Sequence, residues 1–228
     1  MDSDTRNTLL RQIYAIYDVF AGDLAVACHK GCAACCTRNV TMTSLEGGLM
    51  IRHLAESNPH WRTALLETVE RPRFHPQVTI NQLAQLCAMD EEIPEETIDP
   101  RSGPCPLLAD DSCPVYDVRP LGCRAMVSKT LCPENGAAEM PDFVLTVNNV
   151  FLQYIEAIDH QGISGNLIDM LLHLSSDPSD FVDIRNLRHR PSHLLPNHPI
   201  PVLMIPPEHR QRMQPLLEAI QAEIKRYY

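Results

Sequence analysis

The sequence lacks the features that mark several large classes of protein. Aromatic residues make up 5% of its 228 residues, with one tryptophan, so no stacking platform for single-stranded nucleic acid is evident. The formal net charge is −10, whereas a nucleic-acid partner requires a basic stripe. No stretch approaches the roughly 20 consecutive apolar residues of a membrane span. We therefore expect neither nucleic-acid binding nor a membrane span.

Catalytic and targeting motifs are also missing. The chain opens on the polar residues 1–7 without an apolar run behind them, so no secretory signal is visible and we expect a cytoplasmic protein with reduced thiols. There is no glycine-rich phosphate loop and no serine-nucleophile elbow. At 228 residues the chain is long enough to bury a hydrophobic core without metal or disulfides.

Apolar residues recur at helical spacing along most of the chain. They predict helices over residues 5–27, 44–56, 78–89, 144–158 and 166–174, another helix after Pro59, and a last helix from Pro206-Pro207 to about residue 225. Segments that alternate like strands are scarce. Residues 190–207 hold six prolines, which favours an extended crossing segment. We predict a helical domain over 1–189, with residues 190–228 packed on the same domain.

Eight of the nine cysteines fall into two blocks. The first reads Cys28-His-Lys-Gly-Cys32-Ala-Ala-Cys35-Cys36, and the second contains Cys105, Cys113, Cys123 and Cys132. Adjacent cysteines rarely bridge each other, because the ring strains the peptide bond and the disulfide geometry. Thiolates gathered around a soft metal ion or an iron–sulfur core avoid that strain. The pattern predicts bound metal and a fold that is mainly α, with a metal-stapled irregular cysteine-rich loop region.

The spacing leaves the local geometry of these blocks open. If the first helix continues through Gly31, its four cysteines share one stripe; alternatively, Gly31 opens a turn that wraps the metal. The second block has gaps of eight, ten and nine residues, which suit separate loops converging on a site. Eight thiolates make two tetrahedral four-sulfur sites, or one iron–sulfur cluster with the remainder binding a second metal or serving redox work.

The cysteine blocks also carry a resemblance to a known family. The first block, followed by Cys-Pro-Leu-Leu, Cys-Pro-Val-Tyr, Arg-Pro and Cys-Arg, resembles the CxxCxxCC family of zinc- or iron-chelating proteins, also called the YkgJ-type cysteine-cluster family. The resemblance covers about residues 28–132 and implies that all eight cysteines chelate iron, an iron–sulfur cluster or zinc. The first gap has three residues instead of two, so His29 stays an alternative to Cys28. Flagellin lysine methylases look like distant relatives with similar cysteines, but no methyl-donor site is recognisable here.

The resemblance also suggests roles for two arginines beside the ligands. Arg119 is expected to hydrogen-bond loop carbonyls or sulfurs, or to bridge to an acid such as Asp117 as part of the scaffold. Arg124 is next to Cys123 and is expected to tune the charge of a cluster. Basic residues within or beside the blocks either offset the thiolate charge or are solvated surface side chains; they are Lys30, Arg38, Arg119, Arg124 and Lys129.

These residues favour a metal-binding cysteine-cluster protein, with an iron–sulfur cluster favoured over zinc because eight ligands and a double cysteine suit a polynuclear core. The alternatives are a cluster-dependent redox or group-transfer enzyme and a zinc-stapled module that binds a protein partner. The sequence does not name a substrate or a protein partner, and it favours a binding role over an enzyme.

Other candidate residues are interpreted as structural. Cys87 is on a predicted amphipathic helix and is expected to be a small buried residue. His189, His193 and His198 have no carboxylate or cysteine beside them in the sequence, which favours no metal site there. Asp110-Asp111 is expected to make a turn.

Overall fold

The computed structural model of the chain describes residues 1–58, 60–98, 102–132, 138–175 and 193–227. Eight α-helices carry most of the ordered structure in these ranges. They are α1 (Ser3–Gly22), α2 (Ser44–Ser57), α3 (Trp61–Leu66), α4 (Ile80–Met89), α5 (Leu121–Arg124), α6 (Asp142–Ile158), α7 (Leu167–Leu174) and α8 (Arg210–Lys225). Within the same ranges, 3-10 turns are at Tyr116–Val118 and Pro207–His209. The fold is mainly α, as the sequence predicts.

Helix α1 ends earlier than its apolar pattern predicts. Its buried face comprises Leu9, Leu10, Ile13, Tyr14 and Tyr17. The helix stops at Gly22, since glycine disfavours a helix and the next residues bury little apolar surface. The first cysteine block therefore follows the helix in a series of turns, and Gly31 has a φ of +94°. The alternative in which Gly31 opens a turn is confirmed, and the continuous helix is wrong.

Helix α2 begins where the sequence predicts, with a capping box. The side chain of Thr43 accepts from the Glu46 backbone N–H, and the Glu46 carboxylate accepts from the Thr43 N–H at 2.8 Å. The same carboxylate, 1% exposed, accepts from the Tyr14 hydroxyl and from the Leu121 N–H, each at 2.7 Å. Glu46 thereby joins α1 and α2 to α5, the short helix that carries Cys123.

A small antiparallel sheet, which the sequence does not predict, lies beside these helices. Its strands are β1 (Thr41–Thr43), β2 (Ile163–Asn166) and β3 (Leu195–Pro196), in the order β1-β2-β3. Met42 is paired with Gly165, and Ser164 with Leu195. Strands of two to four residues are too short for an alternating pattern to be recognised.

The hydrophobic core lies between α1, α2, α6 and α7. Tyr17 packs edge to face on Phe151, with the ring centroids 5.2 Å apart, and its hydroxyl donates to the side chain of Asn148 at 2.7 Å. Within the described ranges, no helix combines the length and apolar character needed to cross a membrane.

The C-terminal segment crosses this core before α8. The described part of the predicted crossing segment is non-helical up to Pro207, and its backbone N–H groups at His198 and Met204 donate to side chains of α6. Helix α8 continues through Pro215 and buries Met213 and Ile220. The predicted division at 189/190 and His189 lie outside the described residues, so the two-part organisation stays a prediction.

A second buried carboxylate, that of Asp159, fixes the N-terminus of α2 against the end of α6. Its Oδ2 accepts from the Ser44 hydroxyl at 2.5 Å and from the Leu45 N–H at 2.9 Å. Burial raises the pKa of Asp159 from 3.8 to about 6, against the opposing effect of these hydrogen bonds.

Asp159→Asn should therefore change the pH dependence of stability. Between pH 3.8 and about 6 the folded protein holds a proton that the unfolded chain has lost, so this residue lowers stability as the pH rises through that range. We expect the free energy of unfolding of the wild type to fall by about 2–3 kcal/mol more than that of Asp159→Asn between pH 4 and 7. Urea denaturation measures both profiles.

The control is Asp23→Asn, which changes an exposed carboxylate and should keep the wild-type profile. Parallel pH profiles of stability for the wild type and Asp159→Asn would contradict the raised pKa of Asp159.

Candidate metal centre

Seven of the eight clustered cysteines line one cavity of about 290 Å³, and they come from both blocks. They are Cys28, Cys32, Cys35, Cys36, Cys113, Cys123 and Cys132. The eighth, Cys105, adjoins them through its backbone, since its N–H donates to the carbonyl of Cys36 at 2.8 Å. All eight are half-buried free thiols. The structure thus brings the two blocks together at one place.

Backbone hydrogen bonds at two points hold the blocks against each other. At the first, Cys105 donates to Cys36 and Arg38 donates to Gly103 at 3.2 Å. At the second, Ala27 donates to the carbonyl of Ser128 at 2.8 Å, and the Ser128 N–H donates to the sulfur of Cys28 at 3.2 Å. These contacts fix which cysteines become neighbours.

The spatial groups of thiols differ from the blocks in the sequence. Cys28 is close enough to feel the charges of Cys32, Cys35 and Cys132. We name Cys28, Cys32, Cys35 and Cys132 the first thiol group. Cys36 is close enough to Cys105, Cys113 and Cys123 for their charges to act on its pKa, and the charge of Cys35 acts on the pKa of Cys123 as well. We name Cys36, Cys105, Cys113 and Cys123 the second thiol group. Each group therefore contains three cysteines from one block of the sequence and one cysteine from the other block.

The adjacent pair Cys35-Cys36 is the junction between the two groups. The Cys35 thiol donates a hydrogen bond to the sulfur of Cys36; this bond raises the pKa of Cys35 and lowers that of Cys36. Burial raises the pKa of Cys105 to about 11 and that of Cys123 well above its usual range. Metal binding must displace protons from such thiols, so affinity should rise with pH.

Two similar turns present sulfurs of the second thiol group. In Cys-Pro-Leu-Leu the N–H of Leu108 donates to the carbonyl of Cys105 at 3.1 Å, and in Cys-Pro-Val-Tyr that of Tyr116 donates to Cys113 at 3.2 Å. Proline at the second position of each turn fixes φ near the required value. Backbone N–H groups that follow each proline also point at the cysteine sulfur and lower its pKa, in opposition to burial. Such donors stabilise a thiolate.

Two positive charges lie near the Tyr116 ring, beside the second thiol group. The guanidinium of Arg119 lies 3.7 Å from the Tyr116 ring centroid and the ammonium of Lys30 lies 5.1 Å from it. Arg119 also donates to the carbonyl of Tyr116 at 2.7 Å. The predicted bond from Arg119 to a loop carbonyl is present. Both charges act to lower the pKa of Cys113, although burial outweighs them.

Arg124 is buried and fastens the second block to α1. It donates to both carboxylate oxygens of Asp18, at 2.8 and 2.7 Å, and to the carbonyls of Arg119 and Asp117, at 2.9 and 2.6 Å. Its guanidinium also stacks on the Tyr14 ring, 4.3 Å from the centroid. Its charge is balanced by Asp18, so we interpret Arg124 as a structural residue that fixes the loop of the second block to α1.

A comparison with protein families decides the relationship of the chain. The model of one family, described as a putative zinc- or iron-chelating domain, matches residues 27–142, just over half of the chain, and includes all eight clustered cysteines. The chain belongs to the CxxCxxCC family. Neither the curated proteins nor the solved structures include a match. Membership in CxxCxxCC confirms the resemblance and supports zinc or iron binding by this cysteine-cluster protein.

The structure corrects two interpretations outside the CxxCxxCC cysteines. Cys87 is exposed on α4, so the predicted burial is wrong. That helix buries Asn81 and Ala84 and leaves the thiol in contact with solvent. His193 does have a carboxylate partner, because the fold brings Asp169 from α7 to 3.3 Å from its Nε2. Sequence spacing could not reveal that partner. The turn at Asp110-Asp111 is confirmed, with φ of 48° and 58°. His29 is exposed at the edge of the cysteine cavity.

Gly122→Ala tests how α5 positions Cys123. A Cβ at residue 122 would lie 2.7 Å from the carbonyl oxygen of Thr41, which is backbone and cannot rotate away. We expect α5 to be displaced, with a loss of about 1–3 kcal/mol in the free energy of unfolding and a lower metal content. Urea denaturation and elemental analysis measure the two effects.

Gly48→Ala is the matched control, because a Cβ there meets only the Arg52 guanidinium at 3.9 Å. Within helix α2 it should leave metal content unchanged and raise stability by about 0.5–1 kcal/mol. Wild-type stability and metal content in Gly122→Ala would contradict the close approach of α5 to the Thr41 carbonyl.

Proposed function

We propose that the eight clustered cysteines bind metal in two adjacent four-sulfur sites, one for each thiol group, and that the metal is iron in iron–sulfur form. The observation that carries this proposal is the single cavity lined by cysteines from two distant stretches of chain. All the clustered donors are thiols, which suit zinc or iron–sulfur clusters and not hard cations such as Mg²⁺. The free cysteines also fit the reducing cytoplasm expected from the sequence.

The separation into two sites is supported by the neighbours of each thiol. The first and second thiol groups each contain four cysteines, the number that a tetrahedral site or one cluster takes. Cys35 and Cys36 belong to different groups, which avoids strain from two adjacent residues binding one small ion. Because Cys35 and Cys36 are consecutive, two sites that each use one of them would be neighbours.

The number of thiols and the room between them favour iron–sulfur clusters over single zinc ions. Eight cysteines are gathered at one place, seven of them around a cavity of about 290 Å³. A core of several iron and sulfide ions needs such space, whereas a tetrahedral zinc ion binds four sulfurs at about 2.3 Å.

The other residues of the site offset the charge of the thiolates. An all-thiolate site adds negative charge to a protein whose formal net charge is already −10. The Arg119 and Lys30 charges on the Tyr116 ring and the backbone N–H of Ser128 at the Cys28 sulfur oppose that charge. An iron–sulfur cluster held there would supply electron-transfer chemistry or structural cross-linking.

Anaerobic purification followed by elemental analysis tests the metal. We expect a brown protein with iron and acid-labile sulfide, and with broad absorption near roughly 400 nm from thiolate–iron charge transfer. A colourless protein with stoichiometric zinc would overturn the iron assignment and keep chelation. A protein without either metal, after reconstitution with iron, sulfide or zinc, would overturn the proposed function.

Substitutions in the two thiol groups test the separation into two sites. Cys132→Ser should remove the metal of the first group and Cys113→Ser that of the second, so each variant should retain about half of the wild-type content, since each site needs its own four ligands. Cys87→Ser is the control, because Cys87 is exposed and outside both groups, and it should retain all the metal. Complete loss in both variants would indicate one shared core.

A further inference from the structure

A second set of metal-ligand side chains lies away from the cysteine cavity. Among the described residues, the metal-ligand atoms of His75, Asp169 and His193 all lie within 4.8 Å of one another. None of the three lines the cysteine cavity. Asp169 and His193 also lie beyond residue 142, where the family match ends.

Hydrogen bonds to the backbone connect the segment of His75 to the helix that carries Asp169. His75 is in the non-helical segment before α4, where the N–H of Phe74 donates to Asn39 and its carbonyl accepts from Asn166, each at 3.0 Å. Asn166 is also the N-cap of α7, and Asp169 is in the first turn of that helix. The backbone next to His75 is therefore fixed to the same helix end that carries Asp169.

The distances match those between ligands of one ion. The Nε2 of His75 lies 3.0 Å from Oδ2 of Asp169, and the Nε2 of His193 lies 3.3 Å from Oδ1. Zinc binds imidazole nitrogen and carboxylate oxygen at about 2.0–2.1 Å, so tetrahedral ligands are about 3.3 Å apart. The two imidazole rings have centroids 4.7 Å apart and are inclined by 35°, so both nitrogens face the same carboxylate.

Arg73 orients the carboxylate. Its Nε donates to Oδ2 of Asp169 at 2.9 Å and its terminal nitrogen donates to Oδ1 at 2.5 Å. Each carboxylate oxygen has a second lone pair, which is free for the side that the histidines occupy. Hydrogen bonds of this kind fix ligating carboxylates in metal sites. Arg73 also neutralises Asp169, so little negative charge remains for hard cations that need several anionic oxygens.

His173 lies on the same helix face as Asp169 but outside the set of three. It is four residues after Asp169 in α7, one turn along, and is 9% exposed. Its Nε2 is buried without a hydrogen-bond partner, an arrangement that costs free energy unless something binds there.

We propose that His75, Asp169 and His193 form a separate Zn²⁺ site with three protein ligands. Imidazoles and one carboxylate suit zinc and its transition-metal neighbours. The side chains of His75 and His193 are 40% and 33% exposed, which gives the ion a path from solvent. Three protein ligands leave the fourth tetrahedral position to water, and the ion would join α7 to the segments that carry His75 and His193.

Zinc titration of the protein with its cysteine sites already loaded tests the proposal. Calorimetry should show one further Zn²⁺ per chain in the wild type. His75→Gln and His193→Gln should each weaken that binding by at least about 10-fold, because each removes a ligand. His160→Gln, at an exposed histidine outside the cluster, is the matched control and should bind as the wild type does.

A second measurement avoids variants. In the wild type, Zn²⁺ should shift the imidazole NMR signals of His75 and His193 before those of any other histidine. The proposal is overturned if the wild type takes up no further zinc, which would leave an ion-paired structural cluster around Asp169. It is also overturned if both Gln variants bind zinc as tightly as the wild type, or if these imidazole signals do not move. The iron and sulfide content of the same samples reports on the cysteine sites independently.

Discussion

The buried carboxylate of Glu46 is the interaction on which the rest of the structure depends. It completes the cap of α2, accepts the Tyr14 hydroxyl of α1 and accepts the Leu121 N–H at the start of α5. A carboxylate that is 1% exposed is tolerated only when such donors surround it. These bonds connect the helical core directly to the segment that presents Cys123, so the position of the thiols is set by the core and not by the loop alone.

A second constraint comes from the short backbone contacts between the cysteine blocks. They are formed at Cys36 with Cys105 and at Ala27 with Ser128, and they interleave the two stretches of chain. Arg124 reinforces the arrangement by pairing with Asp18 while it binds two loop carbonyls. The thiols are therefore neighbours before any ion is considered, which reduces the entropy lost when a metal binds.

Local patterns in the sequence predict the helices and the identity of the clustered cysteines. The capping box at Thr43 and the apolar face of α6 are local signals, and they are sufficient to predict helices α2 and α6. The grouping of Cys132 with Cys28 was not predictable, because it depends on tertiary backbone contacts. The same holds for His193, whose partners Asp169 and His75 are far away in the sequence. The end of α1 at Gly22 shows that the turn propensity of one glycine outweighed a continuing apolar pattern.

The interleaving of the thiol groups has a consequence for biosynthesis. Cys36 emerges from the ribosome well before Cys105, Cys113 and Cys123, and Cys28 well before Cys132. Neither group is complete on the nascent chain until the second block has been synthesised and has folded back onto the first. Closing that long loop is slow compared with the formation of local helices. Under the proposed arrangement, the early cysteines have no complete set of partners until the second block has folded, and metal would bind at the last stage of maturation.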